Sequence, residues 1–99
     1  MIADQYRKEI EKQASRFLKA LDEYEVARDP KERSHARQVM DESLKLMHAA
    51  AQEIVTDGLR KQEVGIEKSY RAYLQNETKD NLSVLREELH YLRDNNKRP

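Results

Sequence analysis

The sequence has no cysteine and no tryptophan, and its 99 residues include only two glycines, two prolines and one phenylalanine. Without cysteine there is no disulfide framework and no thiolate chemistry. The scarcity of glycine and proline argues against a β fold, which needs many tight turns. This composition favours a small protein built from long helices.

Net charge and long apolar runs are also missing. Nineteen Lys and Arg residues balance nineteen Asp and Glu residues, so no overall field attracts nucleic acid or an anionic membrane. The chain is polar by Asp4, which predicts no signal peptide, and its longest alanine run, Ala49–Ala51, is far too short to span a membrane. We therefore expect a soluble, cytoplasmic protein with no membrane partner.

The balance of charged and apolar residues, 38% against 37%, also resembles that of a disordered chain. Disorder is disfavoured here because the apolar residues recur at helical spacing and the net charge is zero rather than extreme. A chain of this length makes one domain at most, and a compact monomer would have a thin core. We predict a single all-α domain over residues 1–99.

One stretch organises the sequence, and we interpret it as a single long helix over residues 29–76. Asp29-Pro30-Lys31-Glu32 marks its start, with an N-cap aspartate, proline at the first helical position and glutamate at the third. At about 1.5 Å per residue such a helix would be roughly 70 Å long. Its apolar residues recur with a helical period: Ala36, Val39, Met40, Leu44, Met47, Ala50, Ala51, Ile54, Val55, Leu59, Ile66, Tyr70 and Tyr73.

Two shorter helices are predicted, the first running back along the first half of the central helix and the other returning along its second half. The first spans about residues 4–28 and ends before Pro30, and so tight a connection folds two helices back antiparallel. The segment 76–81 is rich in capping residues, and a third helix follows over about residues 79–95, ahead of a polar tail at 95–99. Its apolar residues form a narrow seam of the coiled-coil type: Leu82, Leu85, Leu89 and Leu92.

Thr56-Asp57-Gly58 leaves a second architecture open, because Asp-Gly is a common turn dipeptide. A turn near Gly58 would give four helices and a compact monomeric four-helix bundle. The sequence favours continuity, because small residues spaced seven apart would form one stripe along an unbroken helix. These residues are Ala51, Gly58, Gly65 and Ala72.

A rod only two helices thick could not cover the wide apolar face of the central helix. A second copy would complete a four-helix cross-section, and two-fold symmetry is the commonest arrangement. We therefore predict an elongated homodimer, with dimer and tetramer not separated by the sequence. Its interface residues would be Met40, Leu44, Met47, Ala51, Ile54, Gly58 and Gly65.

Two Glu-x-x-His spacings suggest a metal, since di-metal carboxylate bundles use this pairing. They are Glu32 to His35 and Glu87 to His90. Neither pair lies on an apolar helix face, where the ligands of a bundle metal site would have to be. We therefore predict no metal, no cofactor and no catalytic residue, and a metal-binding helical bundle is kept only as a second alternative.

A basic stripe on the second half of the central helix suggests the first alternative, a nucleic-acid-associated regulator. Its members are Arg60, Lys61, Lys68 and Arg71. They share a face near Tyr70 and Tyr73, and cations beside aromatic rings can bind single-stranded nucleic acid or another anionic partner. Four cations on a chain of zero net charge are a weak footprint, so a solvated helix face is the preferred interpretation.

The function that these features favour is protein–protein interaction without catalysis. The protein would act as a homo-oligomer, as an adaptor, small chaperone or regulatory subunit whose exposed helix faces engage a protein partner. Its tyrosines and methionines lie on or beside the apolar faces and are expected to fill the core, with the tyrosine hydroxyls reaching water. They are Tyr6, Tyr24, Tyr70, Tyr73, Tyr91, Met40 and Met47.

Overall fold

Four helices make up the described part of the chain, which covers residues 2–53 and 57–95, with side chains for residues 5–53 and 61–94. The structure is a computed structural model. No strand occurs among the described residues, which confirms the prediction of an all-α fold. The helices are α1 (Ile2–Val26), α2 (Pro30–Gln52), α3 (Asp57–Gln75) and α4 (Lys79–Asn95).

The turn between α1 and α2 is where the sequence predicts it, directly ahead of Pro30. Asp29 has an extended backbone, with φ −84° and ψ 129°, and its side chain accepts a hydrogen bond from the Lys31 N–H at 3.0 Å. The Arg33 N–H donates to the Asp29 carbonyl, also at 3.0 Å, and closes the first turn of α2. Proline suits the position after the cap because no N–H is needed there.

The central helix predicted over residues 29–76 is not found as one element, because α2 and α3 run antiparallel to each other. The Tyr70 hydroxyl on α3 donates to Asp41 Oδ1 on α2 at 2.6 Å. His48 Nδ1 on α2 lies 2.9 Å from Glu63 Oε2 on α3. In one continuous helix, Asp41 and Tyr70 would stand about 43 Å apart at about 1.5 Å per residue. The structure favours the compact four-helix alternative.

The break between α2 and α3 does not use glycine as its turn residue. Glu53 caps α2, and its N–H donates to the carbonyls of Ala50 and Ala51. Because α3 begins at Asp57, Gly58 lies in the first helical turn of α3. Residues 54–56 and 96–99, which include Thr56 of the predicted turn and most of the predicted polar tail, lie outside the described residues.

Folding back lets the chain cover its own apolar face. Among the described residues, α1 lies beside α2 and α4, and α3 lies beside the same two helices, so the four form a square in cross-section. Met40, Met47 and Ala51 are 0–1% exposed inside this square. A rod two helices thick would leave such side chains in water, at a free-energy cost of roughly 25 cal/mol for each Å² of apolar surface that stays exposed.

Aromatic rings join the diagonally opposite helices α1 and α3 across the core. Phe17 and Tyr70 meet edge to face with their ring centroids 5.0 Å apart, and Tyr24 meets Tyr73 at 6.2 Å. This geometry places the positive edge of one ring against the negative face of the other. Three leucines of the predicted seam complete the core from α4: Leu85, Leu89 and Leu92.

A polar cluster closes the end of the bundle where α1 ends, α2 begins and α3 connects to α4. The Arg33 guanidinium lies 4.3 Å from the centroid of the Tyr24 ring and donates to Glu77 Oε1 at 2.7 Å. The Tyr24 hydroxyl donates to Glu77 Oε2 at 2.8 Å. Since Glu77 belongs to the α3–α4 connection, these three side chains tie both turns of this end together.

The helices pack into a body of 43 × 23 × 18 Å with a radius of gyration of 13.3 Å. A compact domain of this length is expected to have a radius of gyration of about 13 Å. The long dimension is close to the length of α1 alone, since 25 residues of helix extend about 37 Å. None of the described helices has the length and apolar content needed to cross a membrane.

Candidate functional site on the outer face of α3 and α4

The residues predicted to form an oligomer interface are largely covered by the chain's own helices. Met40, Met47 and Ala51 belong to the core, and Leu44 is half-buried in a groove between α2 and α3. The reason for placing these core residues at an interface therefore no longer applies, although homodimerisation itself stays a prediction. The predicted interface residues without described side chains are Ile54 and Gly58. Gly65, by contrast, is half-buried at the surface of the bundle.

Gly65 lies in an open groove of about 500 Å³ between α3 and α4. A Cβ atom at Gly65 would come within 3.2 Å of Glu88 Oε2, so the glycine lets an α4 side chain lie close to the α3 backbone. Ser69 Oγ donates to Glu88 Oε1 at 2.7 Å and joins the same two helices. The groove is lined by Lys61, Gln62, Gly65, Glu87, Glu88 and Tyr91.

Exposed apolar side chains lie beside this groove. Val84 and Tyr91 on α4 are 47% and 56% exposed, and their spacing of seven residues places them on one stripe of the helix. Val64 on α3 is 43% exposed, whereas Val26 is exposed at the far end of α1. The surface that we name the outer face consists of Lys61, Val64 and Lys68 on α3 and Val84, Glu87, Tyr91 and Asp94 on α4.

Charge on the outer face is divided between its two helices. Lys61 and Lys68 are exposed on α3 and lie seven residues apart. Glu87 and Asp94 are exposed on α4 with the same spacing, and Asp94 also pairs with the neighbouring Arg93 at 3.2 Å. One side of the groove is therefore basic and the other acidic.

The predicted basic stripe keeps its cations but lacks its aromatic component. Its exposed members with described side chains are Lys61, Lys68 and Arg71, while the Arg60 side chain lies outside the described residues. Arg71 pairs with Glu67 on its own helix at 2.7 Å. Tyr70 and Tyr73 are only 3% and 4% exposed, so neither ring is available to stack on a nucleic-acid base.

The two Glu-x-x-His pairs lie at the surface on different helices, Glu32 and His35 on α2 and Glu87 and His90 on α4. His90 Nδ1 lies 3.0 Å from the Arg93 guanidinium, a neighbour that opposes a bound cation. Within the described residues, no three His, Asp or Glu side chains come together in a way that could hold a metal ion.

A buried carboxylate, Glu63, lies on the side of α3 that faces α2, and it is 2% exposed. Its Oε2 lies 2.9 Å from His48 Nδ1, while its Oε1 has no hydrogen-bond partner among the described residues. A buried charge needs a counter-ion, and the hydrogen bond to Glu63, together with the charge of that carboxylate, raises the pKa of His48 above 6.5. Helical spacing places His48 at the edge of an apolar face, but nothing in the sequence marks Glu63 as its partner.

We expect the bundle to lose stability between a mildly acidic and a mildly alkaline buffer because of His48. Its pKa is higher in the folded than in the unfolded state, so its contribution is complete below pH 6.5 and is lost as the pH rises through the folded-state pKa. The His48 side chain is 51% exposed, so solvent screening limits the change to about 0.5 kcal/mol.

Urea unfolding in the two buffers measures this change. The variant His48→Gln should lose the pH dependence that His48 causes. The matched variant His35→Gln, which alters an exposed histidine on the same helix, should keep it. If the His48 variant retained the wild-type pH dependence, the stabilising role of the His48–Glu63 pair would be refuted.

Comparison with known proteins identifies no relative of this chain. No protein family, no curated protein and no solved structure matches the chain. Any function given to the outer face therefore rests on its own geometry and chemistry.

Proposed function

We propose that this chain is a protein–protein interaction module that works without catalysis and assembles into a homodimer through its outer face. The observation that supports this most is the exposed stripe of Val84 and Tyr91 beside the groove at Gly65. Exposed apolar side chains rimmed by polar residues are typical of interaction sites, and tyrosine is enriched at the centres of interfaces.

Tyr91 has the features of an interface anchor. Tyr91 is 56% exposed, whereas Leu85, Leu89 and Leu92 on the same helix are completely buried. Its ring borders the open groove between α3 and α4, so it is accessible to an approaching helix. Aromatic anchors of this kind contribute a large share of binding energy because water is excluded around them on association.

We expect Tyr91→Glu to raise the dissociation constant of the homodimer by a factor of about 30, which corresponds to about 2 kcal/mol. The substitution removes the ring and places a charge where the second copy would exclude water. Sedimentation equilibrium over a dilution series measures the constant. Glutamate is a good helix former, so α4 should persist, and circular dichroism checks this.

The matched control is Val26→Glu, which places the same charge on an exposed apolar position at the end of α1. It should leave the dissociation constant unchanged. A wild-type mass of 11.7 kDa at every concentration would contradict the proposal. Equal weakening of the dimer by both variants would also contradict it, because the effect would then not belong to the outer face.

A further inference from the structure

The charges on the outer face also determine how two copies can face each other, an inference that rests on the proposed homodimer. We propose that the two copies are related by a two-fold axis parallel to the helices, with α3 of each copy lying against α4 of the other. Three matched levels along the groove carry this proposal, two of opposite charge and one apolar.

The contacts of Glu88 set the register of α3 against α4 within one copy. Gly65 and Ser69 both approach the Glu88 carboxylate, so the α3 turn that contains Lys68 lies level with the α4 turn that contains Glu87. The two helices are antiparallel, so seven residues back on α3 correspond to seven residues forward on α4. Lys61 therefore lies level with Asp94, about 10.5 Å further along the groove.

The exposed apolar residues fall between these two charged levels. Val64 follows Lys61 by three residues on α3, and Tyr91 precedes Asp94 by three residues on α4. Val64 and Tyr91 therefore share a level on the outer face, with exposed fractions of 43% and 56%. Along the groove the order is a charged level, an apolar level and a second charged level.

A two-fold axis parallel to the helices keeps every residue at its own level and exchanges the α3 side for the α4 side. Lys68 of one copy then faces Glu87 of the second copy. Lys61 likewise faces Asp94, and Val64 faces Tyr91. Each contact occurs twice, because an interface of this symmetry uses the same patch on both copies.

The other in-plane axis, perpendicular to the helices, would place α3 against α3 and α4 against α4. Lysines would then oppose lysines, and carboxylates would oppose carboxylates. Juxtaposed like charges act against an interface and in this way select its register. The zero net charge of the chain adds no long-range repulsion between copies, so the local pattern decides the pairing.

Charge reversal on one helix at a time tests this arrangement by sedimentation equilibrium at low salt. We expect Lys61→Glu with Lys68→Glu to raise the dissociation constant of the homodimer about tenfold to a hundredfold, because four contacts between opposite charges become contacts between like charges. The pair Glu87→Lys with Asp94→Lys should raise it by the same factor. All four substitutions in one chain restore opposite charges at both levels. The fourfold variant should therefore return to within about threefold of the wild-type constant.

The matched control for the lysine variant is Lys12→Glu with Lys19→Glu, which reverses two exposed lysines seven residues apart on α1. It gives the same net charge away from the outer face and should leave the constant nearly unchanged. A stable wild-type dimer whose constant responds no more to the outer-face reversals than to this control would overturn the pairing and leave the homodimer standing. A fourfold variant that stays dissociated would also overturn the pairing, whereas a monomeric wild type would instead remove the proposed function.

Discussion

Replacing Phe17 by alanine is expected to lower the free energy of unfolding by about 3–5 kcal/mol. Phe17 is completely buried on α1, and its ring meets Tyr70 of α3 edge to face at 5.0 Å. The substitution removes the contacts of a whole aromatic ring and leaves a cavity in the middle of the square. Urea denaturation followed by circular dichroism measures the loss, and Val26→Ala, an exposed position on the same helix, should change stability by less than about 0.5 kcal/mol.

The contact between Phe17 and Tyr70 distinguishes the two architectures that the sequence leaves open. In the long-helix architecture, α1 runs along the first half of the central helix, far from Tyr70. In the four-helix bundle, Phe17 and Tyr70 touch, and a double-mutant cycle with Phe17→Leu and Tyr70→Leu should show a coupling of at least about 0.5 kcal/mol. Independent effects of the two substitutions would speak against the fold-back of α3 onto α1 and α2.

Replacing Met47 by alanine is expected to lower the free energy of unfolding by about 2–5 kcal/mol. The side chain is completely buried on α2, and the surrounding helices cannot close fully over the missing atoms. Because Met47 lies in the core of one chain, the variant should keep the wild-type dissociation constant under conditions where it is folded. Urea denaturation and sedimentation equilibrium on the same sample measure the two quantities separately.

The conservative variant Met47→Leu is the control, since a swap of similar volume costs less than about 1.5 kcal/mol. The sequence-based architecture makes the opposite prediction, because it places Met47 at the interface between copies. A Met47→Ala variant that weakened the dimer strongly and left the folded monomer as stable as before would support that architecture. It would contradict the placement of the Met47 side chain in the core of one chain.

The ends of the first helices could be predicted because local chemistry fixes them. An aspartate followed by proline is a strong signal for a helix start. The structure has Asp29 as the N-cap of α2 and Pro30 at its first helical position. The leucine seam of α4 could be predicted because a spacing of three and four residues places Leu85, Leu89 and Leu92 on one face. In both places the prediction depends only on residues that are close together in the sequence.

The fold-back between α2 and α3 could not be predicted in the same way. Helical periodicity shows which residues share a face, but it does not show whether the next helix continues or reverses. The stripe of Ala51, Gly58, Gly65 and Ala72 fits both, and the structure places Ala51 in the core on α2 and Gly65 in the groove beside α4. The contacts that decide for reversal, such as Tyr70 with Asp41, join residues 29 positions apart.

Only part of the outer face can be predicted from the sequence. The sequence places Lys61 and Lys68 in a basic stripe, but it predicts that Tyr91 fills the edge of the core. A signal was present, because Tyr91 follows Val84 by seven residues and lies about 200° around the helix from Leu89 of the seam. Two apolar residues on the side of a helix opposite its core are the pattern that predicts a second contact surface.

A distance measurement between copies tests the pairing of outer faces most directly. The chain has no cysteine, so a single introduced cysteine carries one nitroxide per copy, and every measured distance runs between two copies. Suitable positions are Ala72→Cys on the groove side of α3 and Lys19→Cys, exposed on α1. We predict a short distance for the label at position 72 and, for the label at position 19, a distance greater than the 23 Å width of one bundle. No dipolar coupling at position 72, or a shorter distance at position 19 than at position 72, would contradict the account.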